Sequence, residues 1–379
     1  MIKFLAYALM LEIMLGGGGR FYGEFSETIT FRILLFFSVL PLTCFYLFLS
    51  TTPVKVFYIW LSFLIYLSLY STLGLANGYE PQNIVSDLRL YFPLLIFPFF
   101  FYSAKYFNDK FDVFLRCSAL ILIISFYIGY YLLATEIIPF EVFYIINNTG
   151  EFFFRGQTSF VYKGFLFIFL AIPLFMDRRY GFTYIVLALF SAFLMESRGF
   201  LLTGLAGVIL TIVVKRDVFE RIILLTISIF GIMASIIFSE FFIKIDSDFV
   251  RYADIDYVLA RLDFYSWLFG KGFGVQINGD LVIEFAYLQL LYKTGLVGLL
   301  FFLAPCLVSI SKIICSTRVH VSHIVLVLIY FQSIFNPYVT NPIGMTIVCW
   351  IIGFWIWSFY RQNQGITNVL SNSNLQYKA

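Results

Sequence analysis

Charge is scarce in this 379-residue chain: Lys, Arg, Asp and Glu make up 12% of it, against 61% hydrophobic residues. A soluble domain carries about 25% charged and about 45–50% apolar residues, so a soluble globular fold is excluded. Histidine is rarer still, with His320 and His323 the only two. The five cysteines, Cys44, Cys117, Cys306, Cys315 and Cys349, fall in apolar segments or short basic loops, and none is paired at metal-ligand spacing. That argues against a structural disulfide or a zinc site. Ten-residue segments of alternating polarity are missing, which argues against a membrane β-barrel. Nucleotide fingerprints are missing too. Gly16 to Gly19 lacks the lysine and strand of a P-loop and reads as the exit from a first helix; Gly270-Lys271-Gly272-Phe273-Gly274 fits neither P-loop nor Rossmann spacing.

What the chain has in abundance is long apolar runs. A helix needs about 20 mostly apolar residues to cross the hydrocarbon core, and such runs follow one another along the sequence. The expected fold class is all-α: a polytopic integral membrane protein, with 1–379 forming one membrane domain. About twelve spans are expected, near 2–18, 29–50, 55–75, 86–104, 112–134, 159–176, 180–197, 199–214, 218–239, 285–310, 320–338 and 341–360. The first is read as a retained helix, because it has one basic residue, Lys3, and no small-residue cleavage site. The 135–158 stretch is apolar enough to lie in the interface, and the Asn/Ser-rich 361–379 tail is expected to be flexible.

Basic residues concentrate in cytoplasmic loops. With both termini cytoplasmic, that side holds fourteen basic residues, including Arg178-Arg179 and Lys215-Arg216, and five acidic ones. The opposite side and the spans hold eleven basic and seventeen acidic residues. The longest polar stretch, 240–284, then faces outward as a large periplasmic loop, away from ATP and nucleotide sugars. It carries twelve of the 47 charged residues: Glu240, Lys244, Asp246, Asp248, Arg251, Asp254, Asp256, Arg261, Asp263, Lys271, Asp280 and Glu284. A reaction there needs an activated donor delivered by the membrane.

The outward basic residues are Arg20, Arg32, Arg89, Arg155, Lys163, Arg198, Lys244, Arg251, Arg261, Lys271 and Lys293. A charge inside a span costs roughly 2.5–3.5 kcal/mol and usually faces a cavity or a partner. Each has a plain explanation in snorkelling or local pairing, such as Asp87 with Arg89 or Glu196 with Arg198. As a set near one face they suit a single anionic group, since guanidinium matches phosphate oxygens through its planar fork. Within the loop, Asp248 to Leu268 reads as an amphipathic surface helix, with Ile255, Leu259, Leu262 and Ser266 at helical spacing. Glu284 precedes the tenth span, where it can cap the helix against its dipole or act as a general base beside the cations.

Several of these segments resemble the bacterial O-antigen polymerase and ligase superfamily. Gly270-Lys271-Gly272-Phe273-Gly274 and Glu284-Phe285-Ala286-Tyr287-Leu288-Gln289-Leu290-Leu291 resemble its signature loop and following helix. Glu196-Ser197-Arg198-Gly199 resembles its Ser-Arg-Gly turn, and Arg261 and Gly272 are separated by ten residues, as in its Arg-x10-Gly pattern. Ligases carry a His-Asn pair where Glu284 and Phe285 stand here, and both histidines of this chain fall on the cytoplasmic side. That favours a polymerase.

The resemblance implies joining of oligosaccharide repeat units carried on undecaprenyl pyrophosphate, with no cofactor, metal or nucleic acid. Glu284, Arg261 and Arg198 are the expected catalytic residues. Arg155, Arg89, Lys163, Arg251, Gly272 and Tyr287 are expected to bind substrate. Tyr252, Tyr257, Tyr265 and Trp267 are candidates for sugar stacking or membrane anchoring. The expected partners are the lipid-linked oligosaccharides, membrane lipids and a chain-length regulator, and the expected location is the bacterial inner membrane. The alternatives are a lipid-linked oligosaccharide flippase or other transporter, and an O-antigen ligase. A transporter should show related halves, which are not evident here. A polyprenyl-phosphate-sugar transferase should show acidic residues in its first outward loop; Glu24 and Glu27 are present, but without an Asp-x-Asp pattern.

Overall fold

The computed structural model of the chain describes residues 2–15, 31–49, 53–107, 110–147, 152–155, 157–216, 219–220, 222–223, 226, 245–316 and 319–376. Arg20, Glu24, Glu27, Glu240, Lys244, the Gly16–Gly19 run and most of the expected 218–239 span lie outside the described residues. So do the side chains of Arg32, Arg155, Asp246 and Asp248, and those of 362–379.

The described chain is mostly helical, as its composition requires. Four helices are long and apolar enough to cross a bilayer: Val54–Ala76, Phe111–Ala134, Ala286–Cys315 and Pro342–Arg361, the last continuing in helical form to Gln376. Their flanks expose large apolar side chains such as Tyr58, Ile65, Ile124 and Leu300, which suits lipid as the surrounding medium. In order the helices are α1 (Ile2–Leu15), α2 (Phe31–Leu49), α3 (Val54–Ala76), α4 (Pro81–Leu90), α5 (Phe92–Leu95), α6 (Phe97–Phe107), α7 (Phe111–Ala134) and α8 (Phe140–Asn147). After a hairpin come α9 (Leu166–Leu170), α10 (Ile172–Phe175), α11 (Gly181–Leu194), α12 (Arg198–Val214), α13 (Ile245–Arg261), α14 (Phe264–Phe269), α15 (Ala286–Cys315), α16 (Val321–Gln332) and α17 (Pro342–Gln376).

Several expectations change. The expected span 86–104 is split into α4, α5 and α6, with Pro93 and Pro98 each just inside a new helix start, where proline's missing N–H costs nothing. The expected span 159–176 does not begin as a helix. Ser159–Tyr162 is strand β2, paired antiparallel with β1 (Phe152–Arg155) in the register Phe152 to Tyr162 and Arg155 to Ser159. Its aromatic residues favour a strand, and Phe152 stacks on Tyr162 across the ladder with centroids 5.0 Å apart. Among the described residues this hairpin interrupts an otherwise helical chain, consistent with the all-α expectation.

The single amphipathic helix expected over Asp248 to Leu268 is two helices, α13 and α14. Asp263 breaks it: its carboxylate accepts the Ser266 N–H at 2.7 Å and its own N–H donates to the Ser266 hydroxyl at 3.3 Å, forming a capping box. The Ser266 hydroxyl and N–H, together with nearby Lys271, hold the exposed Asp263 carboxyl below its ordinary range.

Helix α15 is kinked. Gly295 takes φ 66°, and a Cβ there would lie 2.3 Å from the Leu268 carbonyl oxygen. Only glycine allows both the conformation and the close approach. The kink lets the end of the polar loop dock into the helix, and that docking positions the site.

Candidate active site

The Gly270–Gly274 segment is a backbone plug. A kink frees helix carbonyls that need new donors, and the plug supplies them. The Lys271 N–H donates to Tyr292 O and the Gly272 N–H donates to Lys293 O, both at 2.9 Å. The Phe273 N–H donates to Tyr70 O at 2.9 Å, and the Lys271 carbonyl accepts from Asn77 Nδ2 at 2.7 Å. The Phe273 ring is fully buried and stacks on Tyr91 with centroids 5.2 Å apart. Gly272, with φ 92°, lies so close to α3 that a Cβ would stand 2.4 Å from Gly74 N. It joins two backbones and does not line the cavity described below.

One ion pair anchors this plug. Lys293 Nζ lies 2.6 Å from Asp87 Oδ1, with the two side chains 0% and 1% exposed. The same ammonium donates to Leu281 O at 2.6 Å, and Asp87 Oδ2 accepts the Gly274 N–H at 2.7 Å. Each charge is thus paired and hydrogen-bonded, the condition under which burial is tolerated. Asp87 does not pair with its neighbour Arg89, which is exposed at the end of α4. Placing Lys293 opposite Asp87 satisfies a charge that α15 has no other way to bury.

A second pair stands at the other end of the loop. Arg251 Nη2 and Nε lie 2.8 and 3.2 Å from Glu284 Oε2, and Nη2 also donates to Phe335 O at 3.2 Å. Glu284 does not cap α15: the N-cap is Phe285, and no side chain caps that end. The carboxylate turns instead to Arg251, whose guanidinium gives it two charge-assisted hydrogen bonds. Phe335 also presses on the Ser-Arg-Gly turn, where a Cβ on Gly199 would lie 2.8 Å from Phe335 Cβ. Ser197 caps α12 by accepting the Phe200 N–H at 3.5 Å, and Thr203 of α12 donates to Gln332 Oε1, just before Phe335.

These elements surround a cavity of about 710 Å³. Lys163, Ser197, Glu284, Asn336 and Asn341 supply its polar wall; Leu90, Phe153, Phe154, Val161, Phe200, Ile283, Tyr338 and Ile343 supply much of the apolar remainder. Lys163 Nζ lies 5.5 Å from the centroid of the Phe153 ring. This volume falls in the usual range for small-molecule sites, which are mostly apolar with a few fixed polar groups. Mixed walls of this kind fit an amphiphile.

The expected site residues are distributed unevenly around it. Glu284 and Lys163 line the cavity; Arg251 is fastened to Glu284. Arg198 and Arg89 each neighbour a lining residue, Ser197 and Leu90. Arg155 ends β1, and its side chain lies outside the described residues. Tyr287 is not at the wall; its hydroxyl donates to Tyr330 O. Arg261 stacks on its own helix neighbour Tyr257, 3.6 Å from the ring centroid, and is not among the lining residues. Tyr252, Tyr265 and Trp267 are exposed, and Tyr265 borders a separate crevice of about 370 Å³ with Asn77, Asp263 and Lys271.

Sequence reasoning missed Asp87 as the partner of Lys293, and it missed Asn336 and Asn341. Both asparagines precede prolines, a dipeptide that marks turns, so a signal existed for a defined loop there.

No family model matches the chain, and no solved structure matches it. It is 31% identical over 382 residues to an O-antigen polymerase of Shigella flexneri, an alignment covering 96% of each protein. That identity is sustained over nearly the whole of both chains. The chain belongs to the O-antigen polymerase family.

Proposed function

We propose that the chain joins lipid-linked oligosaccharide repeat units into O-antigen polysaccharide, and that the 710 Å³ cavity is where the new glycosidic bond forms. The observation that carries this reading is the shared wall: a carboxylate gripped by an arginine, a lysine lining the same cavity, and an apolar remainder suited to a prenyl chain. In this reading the protein crosses the bacterial inner membrane about twelve times, with both termini cytoplasmic and the 240–284 loop periplasmic. The donor is a growing chain on undecaprenyl pyrophosphate, no metal takes part, and a chain-length regulator is the partner.

Arg251 occupies Glu284 Oε2, while Oε1 has no hydrogen bond among the described residues. Oε1 takes the proton of the acceptor hydroxyl as its oxygen attacks the anomeric carbon of the donor chain. The bond from that carbon to the pyrophosphate oxygen breaks, and the lipid pyrophosphate departs with the electron pair. Lys163 and Arg198, with Arg89 at the rim and Arg155 on the hairpin, meet the developing negative charge, the usual electrostatic route for such a leaving group. Arg261 guides the anionic substrate from outside, and Gly272 and Tyr287 support the wall.

Reconstitution with purified lipid-linked repeat units tests this. Glu284→Gln is expected to slow polymerisation by about 100-fold or more, the scale of a lost general base, with normal protein levels. Arg251→Lys is expected to fall between wild type and Glu284→Gln, because an ammonium lacks the planar fork. Wild-type ladders of long polysaccharide from both variants would remove Glu284 and the cavity from the reaction.

A further inference from the structure

The two asparagines of the cavity wall are not equivalent. Asn341 is committed to the fold: its Oδ1 accepts the Gly344 N–H at 3.0 Å and caps α17. The half-buried side-chain amide of Asn336 makes no hydrogen bond among the described residues. A carboxamide that the fold does not use and that lines the cavity stays open to a ligand that enters it.

Its backbone is rigidly held. The Asn336 N–H donates to Gln332 O at 3.1 Å, its carbonyl accepts the Tyr338 N–H at 2.7 Å, and Pro337 follows. Ser333 Oγ accepts the Val339 N–H at 2.9 Å, and the Tyr338 hydroxyl donates to Lys163 O at 2.9 Å. The residue before it, Phe335, gives its carbonyl to the same Arg251 Nη2 that grips Glu284. The backbone that carries the amide is therefore fixed one residue from the anchor of the Arg251–Glu284 pair.

We propose that Asn336 is a saccharide-binding residue that holds the acceptor sugar against Glu284. This rests on the cavity being the polymerisation site. The chemistry selects the ligand. A carboxamide offers two donors and an acceptor, which complements neighbouring sugar hydroxyls that each donate and accept. A phosphate presents acceptors only and is better served by a cation such as Lys163 on this wall.

The test uses the full-length protein in lipid vesicles, with lipid-linked repeat units as substrate and the free repeat-unit oligosaccharide as competitor. Asn336→Ala is expected to raise both the KM and the competitor's inhibition constant roughly threefold to tenfold, the effect of one neutral hydrogen bond. Its kcat is expected to stay within about twofold. Asn336→Ser, which also lacks the carboxamide, carries the same expectation should the alanine variant fold poorly. Asn336→Asp is expected to keep the competitor's constant near wild type, since a carboxylate still accepts from sugar hydroxyls. Three results overturn the assignment. Unchanged constants in Asn336→Ala, with activity lost in Glu284→Gln, remove Asn336 and leave the cavity reading standing. Unchanged constants together with an active Glu284→Gln defeat the cavity reading itself. Loss of turnover confined to Asn336→Asp means that the amide faces the pyrophosphate and not a sugar.

Discussion

Replacing Lys293 by methionine is expected to destabilise the protein by about 3–5 kcal/mol, because it strands Asp87 as an uncompensated charge in a site with almost no access to water. Asp87→Leu is expected to cost a similar amount by stranding the ammonium. The informative variant is the double one. With both charges gone the desolvation penalty disappears, leaving the Gly274 N–H and the Leu281 carbonyl without their side-chain partners, at about 1–3 kcal/mol each. Asp87→Leu/Lys293→Met is therefore expected to be more stable than the sum of its parts predicts. Thermal unfolding of the four proteins in detergent closes the cycle. Strict additivity, or a wild-type transition in Lys293→Met, would show that the two groups do not hold each other.

Gly272→Ala is the second large effect, and Gly78→Ala is its control. Both glycines have positive φ, 92° and 77°. An alanine pays about 1–2 kcal/mol for a left-handed backbone at either place. Around Gly78 a new Cβ meets nothing within 4 Å, whereas at Gly272 it lands 2.4 Å from Gly74 N. Backbone cannot swing aside as a side chain can, so overpacking adds about 1–3 kcal/mol more. The plug must then withdraw from the kink in α15, leaving Tyr292 O and Lys293 O without donors. Gly272→Ala is expected to lose folded protein and polymer together, while Gly78→Ala keeps both. Equal behaviour of the two variants in a detergent melting assay would mean that the plug is not held by close backbone contact.

Much of the membrane character was legible in the sequence, because it depends on local composition. Val54–Ala76 and Phe111–Ala134 fall almost where their apolar runs begin and end. The Gly270-Lys271-Gly272-Phe273-Gly274 segment stood out in the sequence by its glycines, but the backbones it packs against did not, because they lie on α3 and α15. The hairpin was not. Phe152–Arg155 and Ser159–Tyr162 are two apolar segments of four residues each, too short for periodicity to separate strand from helix. The break at Asp263 was hidden because Leu262 and Ser266 fit the helical spacing of the preceding segment, while the capping box that ends it is a competing local pattern. At the site, Glu284 stood out as an acid before a helix, but its partner did not, because Arg251 lies 33 residues away.

What the sequence determined by itself is the solvent this protein lives in and the few places where polar chemistry can occur, because both follow from counting apolar and charged residues along short stretches. What only the tertiary structure decided is which of those polar groups meet. Asp87 chose Lys293, 206 residues away, over Arg89 two residues on; Arg261 folded back on Tyr257; and one of two similar asparagines was left open to the cavity. Pairing energies in a low-dielectric interior fall off over a few ångströms, and those ångströms are set by how the chain packs.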